Sequence, residues 1–315
     1  MTIKFIQNQT LQETMETFTG IDIGGTSIKF GLVESDGNLL EKKKVPVREL
    51  RAEGIFSSNL IDTITHWIEA HPQVKHVGIG APGMISKNRR ALVELANMPE
   101  LNGLKLVDVL EKRNRNIKFH LENDANAAAL GELYFSGQAL PDNFLLATLG
   151  TGIGSGLIID KKIFKGADGN GLELGHIVSS NGLSIEQNIG KTGFFNKAKE
   201  LIKENKGKSA LRNAEKLDDD VLLEAARDDD PVALKAFEYY GKYLGEAFAT
   251  AAYILDVKTF IIGGGVAKAY PFMRESVLKS MHKYLTPYYL DHLDIRLAIL
   301  RNNAGILGAA ALCFK

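Results

Sequence analysis

Apolar and polar residues alternate over Phe18 to Val33, FTGIDIGGTSIKFGLV, in a way that predicts a strand, a Gly-Gly-Thr turn and a second strand. Asp36-Gly37 then turns the chain into a third strand over Leu39 to Val47, which completes an antiparallel meander. The pattern returns at Phe144 to Asp160, FLLATLGTGIGSGLIID, again as strand, glycine turn and strand. Set side by side, the two stretches read as a diverged internal repeat of about 120 to 130 residues, with a cleft between two similar halves.

Helical spacing fills the intervals. From Ile55 to Ala70, residues Leu60, Ile61, Ile64, Trp67 and Ile68 fall on one face, with Trp67 in the core, and Pro72 ends the helix. Val77 to Gly80 is a buried strand running into the tight turn Ala81-Pro82-Gly83. Asn97-Met98-Pro99 is a loop before a helix around Leu104 to Glu111. Ile117 to Leu121 alternates as a half-buried strand, and Ala127 to Leu130 is strong helix-forming material, so Asp124 stands at a strand-to-helix junction. Further on, Lys197 to Asn205 and Asp218 to Arg227 read as surface helices, and Pro231 to Leu255 as a long helix burying Phe237, Tyr240, Leu244, Phe248 and Ala251. The acidic runs Asp218 to Asp220 and Asp228 to Asp230 each precede a helix and read as helix starts rather than metal ligands. Lys258 to Ala267 is a buried strand breaking into three glycines, and Asn303 to Phe314 is a closing helix rich in small residues.

At 315 residues with 45% hydrophobic content, the chain has room for two domains and enough apolar material to fill both cores. Its 38 basic and 38 acidic residues cancel, which leaves no overall field to recruit nucleic acid or an anionic membrane. One cysteine, Cys313, excludes an internal disulfide and any multi-cysteine metal site, which fits a reducing cytoplasm. The polar start carries no apolar leader, and no stretch approaches about 18 uninterrupted apolar residues, so a cytoplasmic location is expected.

Chemistry concentrates at the junctions. Gly24, Gly25 and Thr26 let backbone N–H groups and a hydroxyl approach a phosphate without a Cβ in the way, and Gly150, Thr151 and Gly152 repeat the device. Asp22, on the same strand face as Gly24, could hold a hydrated magnesium ion. Around Asp124 crowd Glu122, Asn123 and Asn126. A helix cap needs only one of these side chains, and the C-terminal end of a strand is where open α/β folds bind ligands. Lys165 to His176, KGADGNGLELGH, reads as a mobile loop ending in Glu173 and His176, a pair suited to hydroxyl groups. Glu186 is the one acidic residue in the polar stretch Ser179 to Phe195, and Gly263 to Gly265 offer bare backbone to a flat ring.

The motifs DIGGT at Asp22 to Thr26, ENDANAAALGE at Glu122 to Glu132, GTGIGSG at Gly150 to Gly156, ELGH at Glu173 to His176 and GGG at Gly263 to Gly265 follow in an order that resembles the ROK family of repressors and sugar kinases. The resemblance runs from about Phe18 to the C-terminus. It implies an α/β, two-domain actin/hexokinase/Hsp70-like (ribonuclease H-like) fold: a small domain over residues 1–125 plus 301–315, a larger one over 126–300, and an active-site cleft between them. It further implies a kinase phosphorylating a hexose, glucose first, with Asp124 as general base. Gly83, Asn97, Asn123, Glu173, His176 and Glu186 would then contact the sugar. Asp22 would orient Mg²⁺, while Gly24, Gly25, Thr26, Lys29, Gly150, Thr151, Gly152 and Gly263 to Gly265 would hold ATP. A homodimer is implied as well, and no nucleic-acid or membrane partner.

The chain departs from the family pattern after His176. Most members carry a cysteine-rich zinc segment there, with that histidine as a ligand, whereas this chain has SSNGLSIE and no cysteine, so structural zinc is not expected. Kinases for mannose, fructose or N-acetylmannosamine, and polyphosphate-using glucokinases, which also lack those cysteines, are the alternatives. A repressor would need a DNA-binding helix-turn-helix roughly 60 to 80 residues ahead of the first glycine turn. Only 21 residues precede Asp22, and they carry few basic groups. A catalytically silent sugar-binding module is the remaining reading, and Asp124 together with both phosphate turns argues against it.

Overall fold

The structure, a computed structural model, describes residues 15–52 and 54–314; the polar lead before Met15 lies outside them. β1 (Thr17–Ile23), β2 (Ser27–Glu34) and β3 (Leu39–Pro46) form the expected antiparallel meander. After α1 (Val47–Ala52), α2 (Phe56–Ala70) buries Leu60, Ile64 and Trp67, and the Trp67 indole donates to the Thr19 hydroxyl at 3.0 Å. β4 (His76–Ala81) pairs parallel to β1, and a small hairpin follows, β5 (Met84–Ile85) with β6 (Leu92–Glu94). α3 (Leu106–Arg113) then returns the chain to β7 (Lys118–Asn123), parallel to β4, which gives the sheet order β3-β2-β1-β4-β7.

β7 runs directly into α4 (Asp124–Phe135), and a second sheet begins with β8 (Phe144–Leu149), β9 (Ile153–Ile159) and β10 (Lys162–Ile163). Four helices intervene: α5 (Ile185–Ile189), α6 (Lys191–Glu204), α7 (Asp219–Arg227) and α8 (Pro231–Leu255). β11 (Thr259–Gly263) then pairs parallel to β8. After α9 (Tyr270–Tyr284) and α10 (Pro287–Leu290), β12 (Asp294–Leu297) pairs parallel to β11. The order β10-β9-β8-β11-β12 reproduces the first sheet strand for strand, so the sequence repeat corresponds to a repeated fold.

The two halves meet through α4 and the closing helix α11 (Ala304–Ala311). α11 lies on β1 and β4, where a Cβ on Gly78 would come within 1.7 Å of the Ala309 carbonyl, so only glycine permits that approach. α4 lies on β9, and the two helices touch where Gly131 faces Gly308. The resulting sandwich of sheet, helix, helix and sheet leaves the C-terminal ends of β1, β4, β7, β8 and β11 around one gap.

Both acidic runs start helices as expected: Asp218 accepts from Val221 N–H at 3.0 Å, and Asp230 accepts from Val232 and Ala233 N–H at 2.9 and 3.1 Å ahead of Pro231. Boundaries differ from the sequence reading at α6 and α3, and α11 spans Ala304–Ala311 rather than Asn303 to Phe314. α6 begins at Lys191, six residues before Lys197, because Gly193 packs so tightly on the Gln187 carbonyl that a Cβ would lie 2.0 Å from it; the glycines there bring backbones together rather than mark a loop. α3 is displaced by two residues toward Arg113. The strand from Lys258 breaks at its glycines as expected, ending at Gly263, where Gly264 turns with φ +85° against the Leu149 backbone.

Candidate active site

A cleft of about 450 Å³ opens at those strand ends. Asp124, the first residue of α4, faces it, and the capping role falls to its neighbour. The Asn123 side-chain oxygen accepts from Ala125 and Asn126 N–H at 2.9 and 3.2 Å, while Asp124 Oδ1 shares the Ala125 N–H at 2.8 Å. Cap and cleft carboxylate are therefore adjacent residues, and neither reading displaces the other. Burial pushes the Asp124 carboxyl up to about 6; the like charge of Asp22 and, less, of Glu173 adds to this, and the Ala125 N–H opposes it.

Each half contributes a wall. From the first, Gly83 turns with φ +78° where a Cβ would strike the Glu94 carbonyl at 2.1 Å, and its own carbonyl accepts from Asn123 Nδ2 at 3.2 Å. Asn97 stands beside them, exposed, its carbonyl accepting from Arg51 at 3.2 Å. From the second half, Glu186 Oε2 accepts the Ile153 N–H at 2.8 Å and lies so close over Gly152 that a Cβ there would come within 2.3 Å of it. Glu173 and His176 line the same cleft. The Glu173 carboxyl is raised, chiefly by burial and further by Glu186, while His176 opposes the shift.

A second cavity of about 620 Å³ adjoins the first, and Thr148, Gly264 and Gly265 line both. It holds Lys29 and Gly263 along with Lys268 and Arg301. Of the sequence-predicted site residues, the cleft thus collects Gly24, Gly25, Gly83, Asn97, Asn123, Asp124, Gly150, Thr151, Gly152, Glu173, His176 and Glu186, with Gly264 and Gly265 at the junction. Asp22 and Thr26 line neither cavity. Asp22 Oδ2 pairs with Lys29 Nζ at 2.7 Å, and the exposed Thr26 offers its carbonyl to Val47 N–H at 3.0 Å. Thr148, Lys268 and Arg301 were missed. For Arg301 a signal existed in the polar run Arg301-Asn302-Asn303 that introduces α11; Thr148 is indistinguishable in sequence from any strand threonine.

The model of the ROK family matches residues 18–315 of the chain. This protein belongs to the ROK family. A glucokinase from Halalkalibacterium halodurans is 30% identical to it over 312 residues, covering 94% of each chain. Among solved structures, a Cytophaga hutchinsonii protein is 34% identical with TM-score 0.89, over 95% of this chain and 100% of that one. A ROK family glucokinase from Streptomyces griseus, determined with glucose and AMPPNP, is 30% identical with TM-score 0.76, over 94% and 99%. The fold is accordingly the two-domain actin/hexokinase-like arrangement of ROK sugar kinases.

In this ROK chain the cysteine-free segment after His176 is organised by side-chain hydrogen bonds. Asn188, 1% exposed, donates to the Ser179 hydroxyl at 2.9 Å and to the Ser184 carbonyl at 2.9 Å, and it accepts from Tyr239 OH and Asn181 Nδ2, both at 2.8 Å. Ser180 donates through its N–H and its hydroxyl to the Glu246 carboxylate at 3.0 and 2.7 Å. Ser184 and Gln187 cap α5 reciprocally, and α5 carries Glu186 into the cleft.

Proposed function

We propose that this ROK-family sugar kinase transfers the terminal phosphoryl group of ATP to a hexose hydroxyl, glucose being the first choice, with Asp124 as the general base. The observation that carries the reading is Asp124 itself: a carboxylate raised to about 6, facing a cleft of sugar size between two glycine turns. A base so placed is ionised at neutral pH yet basic enough to take the hydroxyl proton as attack proceeds.

Phosphoryl transfer needs alignment and charge stabilisation more than covalent help. Asn97 and Asn123 from one wall and Glu173, His176 and Glu186 from the other hold the sugar hydroxyls, and Gly83 backs the ring. The turns at Gly24 to Thr26 and Gly150 to Gly152 present N–H groups to the phosphates. Lys29 and Gly263 to Gly265 hold the rest of the nucleotide in the adjoining cavity. Closing the walls excludes water, whose attack would waste the donor.

The donor set near Asp124 suits a hydrated magnesium ion. Both carboxylates offer oxygen, and the like charge of Asp22 raises Asp124, a repulsion that a cation would relieve beyond what Lys29 Nζ, 2.7 Å from Asp22 Oδ2, already offsets. Asp22 would hold such an ion through water, and the ion would supply neutralisation of phosphate charge. Under this reading the domains divide near residues 125 and 300, a division that the packing of α11 on β1 and β4 supports. Under the same reading it works in the cytoplasm as a homodimer, as the family resemblance implies, and without nucleic acid, which its balanced charge supports.

Release of ADP, coupled to a dye and measured across glucose, mannose, fructose and N-acetylmannosamine with ATP and then polyphosphate, tests the proposal. Glucose with ATP is expected to give the highest kcat/KM, and chelation of magnesium is expected to abolish it. Silence with every sugar and both donors would sink the kinase reading.

A further inference from the structure

Directly before Asn123 and Asp124 stands Glu122, a carboxylate 1% exposed at the end of β7. Its Oε1 accepts from the Asn123 backbone N–H at 3.0 Å and from the Asn126 amide at 3.3 Å, and lies 3.3 Å from Arg89 Nη2. Its Oε2 lies 3.3 Å from Lys165 Nζ. A buried charge persists only where its oxygens are occupied by donors, and here those donors come from both halves of the molecule. Arg89 belongs to the β5–β6 hairpin of the first half, where it adopts φ 57°, while Lys165 opens the loop that follows β10 in the second.

Hairpin and loop are also joined directly. Ile85 N–H donates to Asn170 Oδ1 at 3.0 Å, and Asn170 Nδ2 donates back to the Ile85 carbonyl at 3.0 Å, so one side-chain amide imitates strand pairing between the halves. The Arg89 guanidinium donates to the Gly169 carbonyl, while its Nε and Nη1 are buried without a hydrogen-bond partner. Glu122 is thus the counter-charge for a guanidinium whose remaining donors are unsatisfied, and a neutral residue there would leave Arg89 uncompensated. Two residues past Gly171 the same loop delivers Glu173, and three further on His176.

We propose that Glu122 is a positioning residue, and that with Arg89, Lys165 and Asn170 it clasps the two halves at the spacing that sets Asp124 opposite Glu173 and His176. The clasp acts on sugar affinity more than on nucleotide affinity, because its loop runs directly into Glu173 and His176 of the first cleft, while none of its four residues lines the nucleotide cavity. This assignment rests on the kinase reading of Asp124.

The test uses the full chain with Lys165→Met, Asn170→Ala and Glu122→Gln. Lys165, with a side chain 47% exposed, can be changed without opening a core. Lys165→Met and Asn170→Ala are each expected to raise the sugar KM about 5- to 30-fold and the nucleotide KM, measured at saturating sugar, by clearly less, and Lys165→Met is expected to add little once Glu122→Gln is present. Equal rises in both KM values, or full additivity of Lys165→Met with Glu122→Gln, would overturn the clasp. Should Glu122→Gln fail to fold, Lys165→Met combined with Asn170→Ala takes its place under the same criterion.

Amide hydrogen exchange at Ile85 gives a readout free of catalysis. Protection is expected to fall in Lys165→Met as well as in Asn170→Ala, and loss confined to Asn170→Ala would refute the coupling. A wild-type protein that phosphorylates no sugar would overturn the kinase reading, while the exchange result would still decide whether the clasp exists.

Discussion

At Asp124 the same surroundings set both reactivity and a stability cost. With the carboxyl held at about 6, log(kcat/KM) should rise with pH toward a plateau above that value, and Asp124→Asn should lower kcat by roughly 10² to 10⁴ with little change in nucleotide affinity. Wild-type turnover in the variant would remove Asp124 from the mechanism. Stability runs the other way. A carboxyl that binds its proton more tightly when folded than when unfolded contributes stability below the ordinary value of 3.8, and loses it as pH rises through about 6. Asp124→Asn, which cannot ionise, should therefore be more stable than the wild type at pH 8, on the order of 1–3 kcal/mol given partial exposure. Near pH 3 the difference should vanish. Urea denaturation at both pH values measures this, and equal midpoints at pH 8 would show that the carboxylate is relaxed in its site. Sequence made Asp124 legible because its neighbours crowd a strand end. It did not mark Glu122 as more than one of that crowd, since its partners Arg89 and Lys165 are remote in sequence.

Elements built on periodicity were readable; those built on close approach were not. α8 was bounded by Asp230, Pro231 and its apolar stripe, and the meander by alternation and Asp36-Gly37. The polar stretch Ser179 to Phe195 carries no period from which an element can be read, yet Gly190 and Gly193 are the contacts that let α5 turn into α6. Its order comes from Asn188, whose role depends on Tyr239 reaching across from α8. Asn188→Ala takes the acceptor from the half-buried Tyr239 hydroxyl and one of the partners of the buried Ser179 hydroxyl, at about 1–3 kcal/mol for a group left unsatisfied. The variant should lower the melting temperature by several degrees and raise the sugar KM through Glu186 and His176 more than the nucleotide KM. Unchanged sugar KM in a destabilised variant would make the hub purely structural. The small-residue seam between α11 and the sheet is a stricter requirement. Gly78→Val would drive side-chain carbons into the Ala309 carbonyl, which lies within 1.7 Å of even a Cβ. It should abolish soluble expression, whereas a well-folded variant would mean that α11 can lift from β4.

Across the whole molecule, duplication explains why ligand sites fall between the halves. Two sheets of one topology point their strand ends at a common gap, so under the proposed kinase reading sugar and nucleotide would each touch both halves. Asn97 and Asn123 line the Asp124 cleft with Glu173, His176 and Glu186, and Lys29 and Arg301 line the adjoining cavity with Gly263 to Gly265. The sequence repeat made this legible in outline, through the two glycine turns. The contacts that fix the halves relative to one another, Gly131 with Gly308 and Asn170 with Ile85, join positions far apart and carry no local pattern. A ligand that bridges both halves favours whichever separation suits its own contacts, and because Thr148, Gly264 and Gly265 border both cavities, the separation that suits one ligand constrains the other. Sugar should therefore tighten a non-hydrolysable ATP analogue, and the analogue should tighten sugar by the same factor, on the order of 5- to 100-fold, because the coupling free energy is shared. Calorimetric titration of each ligand with and without the other measures both factors. Unequal factors would violate the linkage and point to a further bound species, while factors of one would mean that the halves are already locked at a single separation before either ligand arrives.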